Sequence, residues 1–333
     1  MEKAPFRIDV HHHFMPDVLY DALDEVGALR LGGSPTTRWT VEQSFDLMEK
    51  FQIKTSLLDI SNPALYPIYQ AQPEKIVPLA RSINESMAEL HEKYPKQFGG
   101  KAILPLPFVD ESLKELEYAL DVLKLDGLGL LSNYGLMHLG DPEMDALFYE
   151  MNKRKTALFI HPAMPSPTSW RAKYLHVDSL LEFPTSTARA AANLIFSGTV
   201  ERYPDVQIIL AHAGGTLPYL KFRFDEFQKK YTPLNGIFPD ESVQKGWQSL
   251  TKTASEYMAK FWYDNCTSTD RNVFETIKSM AGEYRFVFGS DMMFVADFIR
   301  QDMVDFIESF GFTEEEKNNI EYGYAAEIFP RFK

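Results

Sequence analysis

Phe6-Arg7-Ile8-Asp9-Val10-His11-His12-His13-Phe14-Met15-Pro16 is the stretch on which the rest of the chain turns. Ile8 and Val10 alternate as they would on a β-strand, and Met15-Pro16 closes it. Side chains on a strand alternate faces, so His11 and His13 point one way and His12 the other. Two imidazoles on one face at a strand end are part of a metal site whose other ligands must come from elsewhere. A polyhistidine scar is the bland alternative, but three histidines inside a strand-like segment are poor tag material. The turn that follows also lacks the glycine-rich phosphate fingerprint of a doubly wound open sheet.

From there a strand–helix alternation runs through the chain. Further strands are predicted at Lys54–Ile60, Phe98–Leu104, Gly127–Leu131, Thr156–Ile160, Val206–Leu210, Phe261–Tyr263 and Arg285–Phe288. Continuous apolar runs such as the first of these suit parallel strands covered on both faces. Helices are predicted at Pro16–Val26, Val41–Phe51, Pro73–Tyr94, Asp110–Lys124 (Asp110 as its cap), Pro142–Arg154, Thr187–Tyr203, Val295–Phe310 and Thr313–Ile320. Two excursions interrupt the pattern, at Ala163–Phe183 and Tyr231–Gly246. Eight strands, most followed by a helix, with no repeat or linker, predict an α/β fold: a (β/α)8 TIM barrel forming a single domain over residues 1–333.

Composition narrows the partners. Hydrophobic residues make up 45% and charged residues 24%, enough for a large core. The net charge of −13 argues against nucleic acid or an anionic membrane surface as a partner. A single cysteine, Cys266, leaves no internal disulfide and fits a reducing, cytoplasmic setting. The polar opening residues predict no signal peptide, and no apolar run reaches membrane-spanning length.

In a barrel of this kind the reactive groups gather at the C-terminal ends of the strands. Four of the eight histidines fall at predicted strand ends: His11 and His13 on the first strand, His161 on the fifth, His212 on the sixth. His91 and His176 read as helical, and His138 sits in the loop after the fourth strand. Asp291 ends the eighth strand; its alternative role is a helix cap before Met292-Met293-Phe294. Three imidazoles and one carboxylate (His11, His13, His161 and Asp291) make a nitrogen/oxygen site for one divalent metal. Zn²⁺ suits it best, with Mn²⁺ or Fe²⁺ admissible and one position left open. His212, before Ala213-Gly214-Gly215, would overcrowd that metal as a fifth ligand and is assigned as general acid/base. No lysine ends the fourth strand, where Ser132-Asn133 stand, so the site reads as mononuclear.

Asp9-x-His11-x-His13, Phe159-Ile160-His161-Pro162, Leu210-Ala211-His212-Ala213-Gly214-Gly215 and Phe288-Gly289-Ser290-Asp291, in this order, resemble the amidohydrolase-related branch of the amidohydrolase superfamily. That branch includes aminocarboxymuconate-semialdehyde decarboxylase and the γ-resorcylate, 2,3-dihydroxybenzoate and 6-methylsalicylate decarboxylases. The likeness spans nearly the whole chain. It implies a barrel of the metal-dependent hydrolase type with the same four metal ligands, His212 as proton handler, and Asp291 sharing in proton transfer. It also implies non-oxidative release of CO₂ from a small carboxylic acid, with no organic cofactor, in a homodimer or homotetramer. The semialdehyde decarboxylase has an arginine where this chain has Ser44, which implies a monocarboxylate such as a hydroxybenzoate. Gly32–Trp39 is expected over the mouth of the site, with Arg38 and Trp39 contacting substrate, and Asn133, Phe183 and Arg189 as further contacts. Two rivals share these residues: a lactone- or amide-cleaving hydrolase (or a hydratase), and a non-catalytic metal-binding scaffold.

Overall fold

The computed structural model describes residues 6–31, 34–60, 65–164, 174–175, 177–234, 236–238 and 240–333. Eight parallel strands stand side by side in chain order: β1 (Arg7–His13), β2 (Ile53–Asp59), β3 (Phe98–Ala102), β4 (Gly127–Leu131), β5 (Ala157–His161), β6 (Gln207–Leu210), β7 (Trp262–Asp264) and β8 (Phe286–Val287). The ring comes together where Val10 N–H donates to Phe288 O at 2.9 Å and Asp291 N–H to His11 O at 2.8 Å. All eight predicted strands are present, within a few residues of the expected bounds. His176, all of the predicted turn Ser61–Pro63, and part of each predicted loop at Gly32–Trp39 and Ala163–Phe183 lie outside the described residues.

The chain buries two apolar layers. The larger lies between strands and helices and includes Phe14, Leu58, Phe98, Leu130 and Phe288. The smaller fills the barrel with Ile8, Val10, Leu57, Phe159 and Val287, with Ala325, Phe329 and Phe332 of the C-terminal segment packed against them. Neighbours such as Leu57 and Leu58 thus fall in different layers, as strand alternation requires.

The register of β1 against β2 shifts twice, between Arg7 and Ile8 and between Asp9 and His12, and the second shift matters for the site. Asp9 pairs with Ser56 and His12 with Leu58, so three steps on β1 face two on β2. This bulge inserts one residue. Val10 packs with Phe159 inside the barrel, and the His11 ring also lies 4.9 Å from the Phe159 ring. Consecutive residues therefore share the interior, and His11 and His13 keep their common face beyond the bulge.

The helices differ from expectation mainly at their ends. Val109–Glu117 starts after Phe108 with no side-chain cap, so Asp110 lies in the first turn and is not the cap. Its continuation, Tyr118–Val122, widens to a π-turn. The helix expected at Thr187–Tyr203 runs instead from Glu182 to Phe196 and resumes at Thr199–Arg202, broken at Gly198, whose φ is +75°. The second excursion contains a helix, Glu241–Gln248, capped by the Asp240 carboxylate. Among the described residues no helix is long and apolar enough to cross a membrane.

Candidate metal centre and active site

His11 and His13 turn their Nε2 atoms toward each other at 2.9 Å. Each ring is held from behind by a different buried carboxylate. Asp264, at the end of β7, takes His11 Nδ1 at 2.7 Å, and Asp59, at the end of β2, lies 2.7 Å from His13 Nδ1. A carboxylate behind Nδ1 fixes the tautomer that leaves the Nε2 lone pair free for a metal. Two such lone pairs at that separation repel unless a proton or a metal ion lies between them, and together with the carboxylate behind each Nδ1 the donor set fits a bound metal ion.

Asp291 completes the cluster. Its Oδ1 stands 3.2 Å from His13 Nε2 and 3.6 Å from His11 Nε2, and its Oδ2 stands 3.5 Å from His212 Nε2. Asp291 caps no helix: the following helix begins at Asp297 after Ala296. His161 points its ring at the same place, with centroids 4.9 Å from His13 and 5.2 Å from His11. Its Nδ1 hydrogen-bonds Pro162 O at 2.9 Å, which leaves Nε2 toward the cluster. Among the described residues, donor atoms suited to a metal form three overlapping triads: His11/His13/Asp291, His11/His161/His212 and His212/Cys266/Asp291.

The electrostatics divide these groups. Burial raises the Asp291 carboxyl, but His11, His13 and His212 outweigh it and hold it well below the usual range. Burial pushes His161 well down, helped by the neighbouring imidazoles, so it is a neutral ligand-ready ring. His13 is lowered by burial and lifted more strongly by Asp59 and Asp291, to about 9 in the metal-free chain. His212 is lowered by burial yet ends above its ordinary value because of Asp291 and Asp264. Burial, Asp291 and Asp264 all push the Cys266 thiol up.

Three acidic residues to which the sequence pattern assigns no role hold this arrangement. Asp264 Oδ1 accepts from His212 N–H at 2.7 Å and Cys266 N–H at 3.0 Å while its Oδ2 serves His11. Asp59 is paired with Lys101, a fully buried lysine of β3, at 2.9 Å. Lys101 Nζ also donates to Val10 O and lies 3.7 Å from the centre of the Phe159 ring. Asp9 accepts from Ser290 Oγ at 2.6 Å, Ser290 N–H at 2.9 Å and His12 Nδ1 at 2.9 Å, joining β1 to the end of β8. Each acid stands in or just past an apolar strand, as in Leu57-Leu58-Asp59-Ile60, and that was the available signal. Two glycines make room. A Cβ on Gly289 would meet His11 Cβ at 2.8 Å, and one on Gly129 would meet the Asp59 carboxylate at 3.2 Å.

A cavity of about 520 Å³ opens above the cluster. It is lined by His161, His212 and Asp291 at its polar end and by Leu31, Val177, Leu180, Phe183, Phe294, Val295 and Ile299 around them. Of the expected substrate contacts, Phe183 is in this wall. Arg38 is not: it is exposed and spends its guanidinium on Asp17 at 2.7 Å and Asp21 at 2.5 Å. Trp39 is not in the wall either; its indole N–H donates to Ser44 Oγ at 3.0 Å. Asn133 is buried and braces the loops through Gly135 O, Ser132 and Ser186. Arg189 is exposed on its helix; burial lowers the pKa of half-buried His138, and the Arg189 charge adds to that. Among the described residues that line the cavity there is no lysine or arginine.

Residues 8–331 match the amidohydrolase family model. The chain is 32% identical to 6-methylsalicylic acid decarboxylase of Penicillium expansum over 98% of its own length and 97% of that protein's. It shares its fold with 5-carboxyvanillate decarboxylase from Sphingomonas paucimobilis, with a TM-score of 0.83 and 20% identity over 98% of this chain and 99% of that one. A dihydroxybenzoic acid decarboxylase from Polaromonas sp. JS666, solved with bound manganese and the inhibitor 2-nitroresorcinol, superposes with a TM-score of 0.77 and 21% identity over 98% of both chains. The motif order, the barrel and these matches agree: the chain belongs to the amidohydrolase family.

Proposed function

We propose that the chain is a metal-dependent carbon–carbon lyase that removes CO₂, without an oxidant or an organic cofactor, from a small hydroxyaromatic monocarboxylic acid. The observation that carries this reading is the pair of Nε2 atoms 2.9 Å apart, each imidazole backed by a buried carboxylate, beneath an apolar cavity that ends on His212 and Asp291. His11, His13, His161 and Asp291 hold one divalent ion, which supplies Lewis-acid binding of the substrate's oxygens. Zn²⁺ suits the donor types; Mn²⁺, bound in the Polaromonas decarboxylase, suits them as well. The ring of the acid lies against the apolar wall, with Phe183 and Phe294 as its flat contacts.

His212 carries the proton. Burial lowers its pKa, but Asp291 and Asp264 outweigh that and raise it above the ordinary histidine value, which favours the proton-bearing form. When the C–C bond to the carboxylate breaks, its electrons pass to the ring carbon, which takes the proton from His212 Nε2 as CO₂ leaves. Asp291, held ionised, keeps His212 in place and favours its charged form. Ser44, neutral and buried between His12 and Trp39, disfavours a second substrate carboxylate.

The test is metal analysis paired with product analysis. Protein reloaded with Mn²⁺ or Zn²⁺ should bind about one equivalent and release CO₂ from 6-methylsalicylate or another ortho-hydroxybenzoate. His212→Ala should keep the metal and lose about 10²-fold or more in kcat. Bound metal with lactone opening and no CO₂ from any acid would establish the hydrolase reading instead. We further take residues 1–333 as one barrel domain, working in the cytoplasm as a homodimer or homotetramer.

A further inference from the structure

Asp291 has two faces, and only one looks at the pair His11 and His13. Its Oδ2 lies 3.5 Å from His212 Nε2 and 3.7 Å from Cys266 Sγ. A zinc-like ion with bonds of about 2.3 Å to sulfur and about 2.0 Å to nitrogen and oxygen has tetrahedral edges of roughly 3.3–3.5 Å. The three donors therefore stand close to a ligand spacing before any ion arrives, and all three ligand atoms lie within 4.8 Å of one another.

We propose that His212, Cys266 and Asp291 form a second, inhibitory site for a thiophilic divalent cation, joined to the first through the Asp291 carboxylate.

Several observations besides the cysteine support this. The Asp291 side chain is 9% exposed, with Oδ1 facing His13 Nε2 at 3.2 Å and Oδ2 facing His212 and Cys266, so the carboxylate can serve both faces. His212 Nδ1 likewise has no hydrogen-bond partner, so no contact there opposes a tautomer with Nε2 as acceptor. The donors are delivered by left-handed backbone at three successive strand ends: φ is +54° at His212, +52° at Thr267 beside Cys266, and +49° at Asp291. Such conformations persist where surrounding structure imposes them. A buried cysteine usually behaves as a small hydrophobe, but Cys266 Sγ faces a carboxylate, and the cavity wall includes its neighbour Thr267 together with His212 and Asp291.

Chemistry separates the two sites. The first offers nitrogen and oxygen; the second adds the chain's one thiol and so selects Cd²⁺ or excess Zn²⁺ over Mn²⁺. Binding forms a metal–sulfur bond, and the thiol proton leaves to solvent. It also occupies His212 Nε2, the proton donor of the proposed reaction; the inhibitory part of the proposal rests on that reading.

The test uses Mn²⁺-loaded enzyme titrated with Cd²⁺ alone. The wild type should gain an ultraviolet Cd–thiolate charge-transfer band, retain its manganese by elemental analysis, and lose about 10²-fold in activity at saturation. Cys266→Ala, and Cys266→Ser as a second variant in case the first folds poorly, should show no band and keep their activity in the same Cd²⁺. Because the chain has one cysteine, a band can only report Cys266. No band in the wild type, equal inhibition of the variants, or manganese displaced one for one would overturn the proposal. A band in protein that decarboxylates no acid would uphold the metal site and overturn the decarboxylase reading.

Discussion

His11 and His13 are two residues apart on one strand and face one point, yet the acids behind them are stabilised in different ways. Asp264 is satisfied by backbone: it accepts the N–H groups of His212 and Cys266 as well as the His11 ring. Asp59 is satisfied by a charge, the ammonium of Lys101, which has no exposure to solvent. Burial raises the pKa of Asp59, and Lys101 with His13 and His11 reverses that and holds it ionised. Backbone donors cannot be removed by substitution, whereas a lysine can. The His11 side is thus fixed by fold, the His13 side by a single side chain.

The largest effect should follow from breaking the His13 side at its source. Lys101→Met leaves Asp59 buried with no ammonium beside it, and loss of one partner of a buried pair costs about 3–5 kcal/mol. Urea unfolding of the metal-free protein should show that loss. The double variant Lys101→Met/Asp59→Asn should recover much of the stability but not the metal affinity. If the double variant is no more stable than Lys101→Met, charge compensation is the wrong account.

Next in size is Asp264→Asn. The amide oxygen can still accept backbone N–H groups, but an NH₂ group then faces His11 Nδ1 and favours the wrong tautomer. Loss of a carboxylate behind a metal-bound histidine weakens metal affinity about 10–100-fold, with little change in fold. Competition with a chelating dye measures it. Unchanged affinity would show that backbone placement alone orients His11.

The pH dependence sharpens the contrast. Metal-free His13 is raised to about 9, above its unfolded value, so its contribution to stability is full below about pH 6.5 and lost as pH rises through about 9. Metal must displace that proton, so affinity should climb with pH by about tenfold per unit below about 9 and then level. Calorimetry in buffers of different ionisation enthalpy should find a proton released on binding. Asp59→Asn should flatten the slope; an unchanged slope would assign the proton elsewhere.

The same contrast explains what the sequence disclosed. The barrel was legible because eight apolar runs carry their own periodicity, and His11, His13, His161, His212 and Asp291 were legible because each ends such a run. The bulge between Asp9 and His12 was not: it depends on the register against β2, a relation between distant segments. Lys101 and Asp59 fall inside predicted strands with nothing in the sequence to mark them, since a buried ion pair shows itself only when its partner is known. Arg38 was read toward the cavity because a loop arginine near an expected acid site suggests a ligand. Asp17 and Asp21 on the first helix claim it instead.

The smallest effect is expected at Ser44. Here Ser44 Oγ lies 2.8 Å from His12 Nε2 and accepts the Trp39 indole N–H at 3.0 Å. His12 Nδ1 faces Asp9 Oδ2, so Nε2 is the acceptor and the Ser44 hydroxyl donates to it. The chain Trp39–Ser44–His12–Asp9 therefore runs on the outer face of β1, opposite the face that carries His11 and His13. Ser44→Ala removes two neutral hydrogen bonds and should cost about 1–2 kcal/mol of stability, with kcat and metal affinity within about twofold of wild type. A loss of activity as large as that expected for Asp264→Asn would mean that the outer face of β1 controls the inner one, and that the two sides of the strand cannot be treated separately.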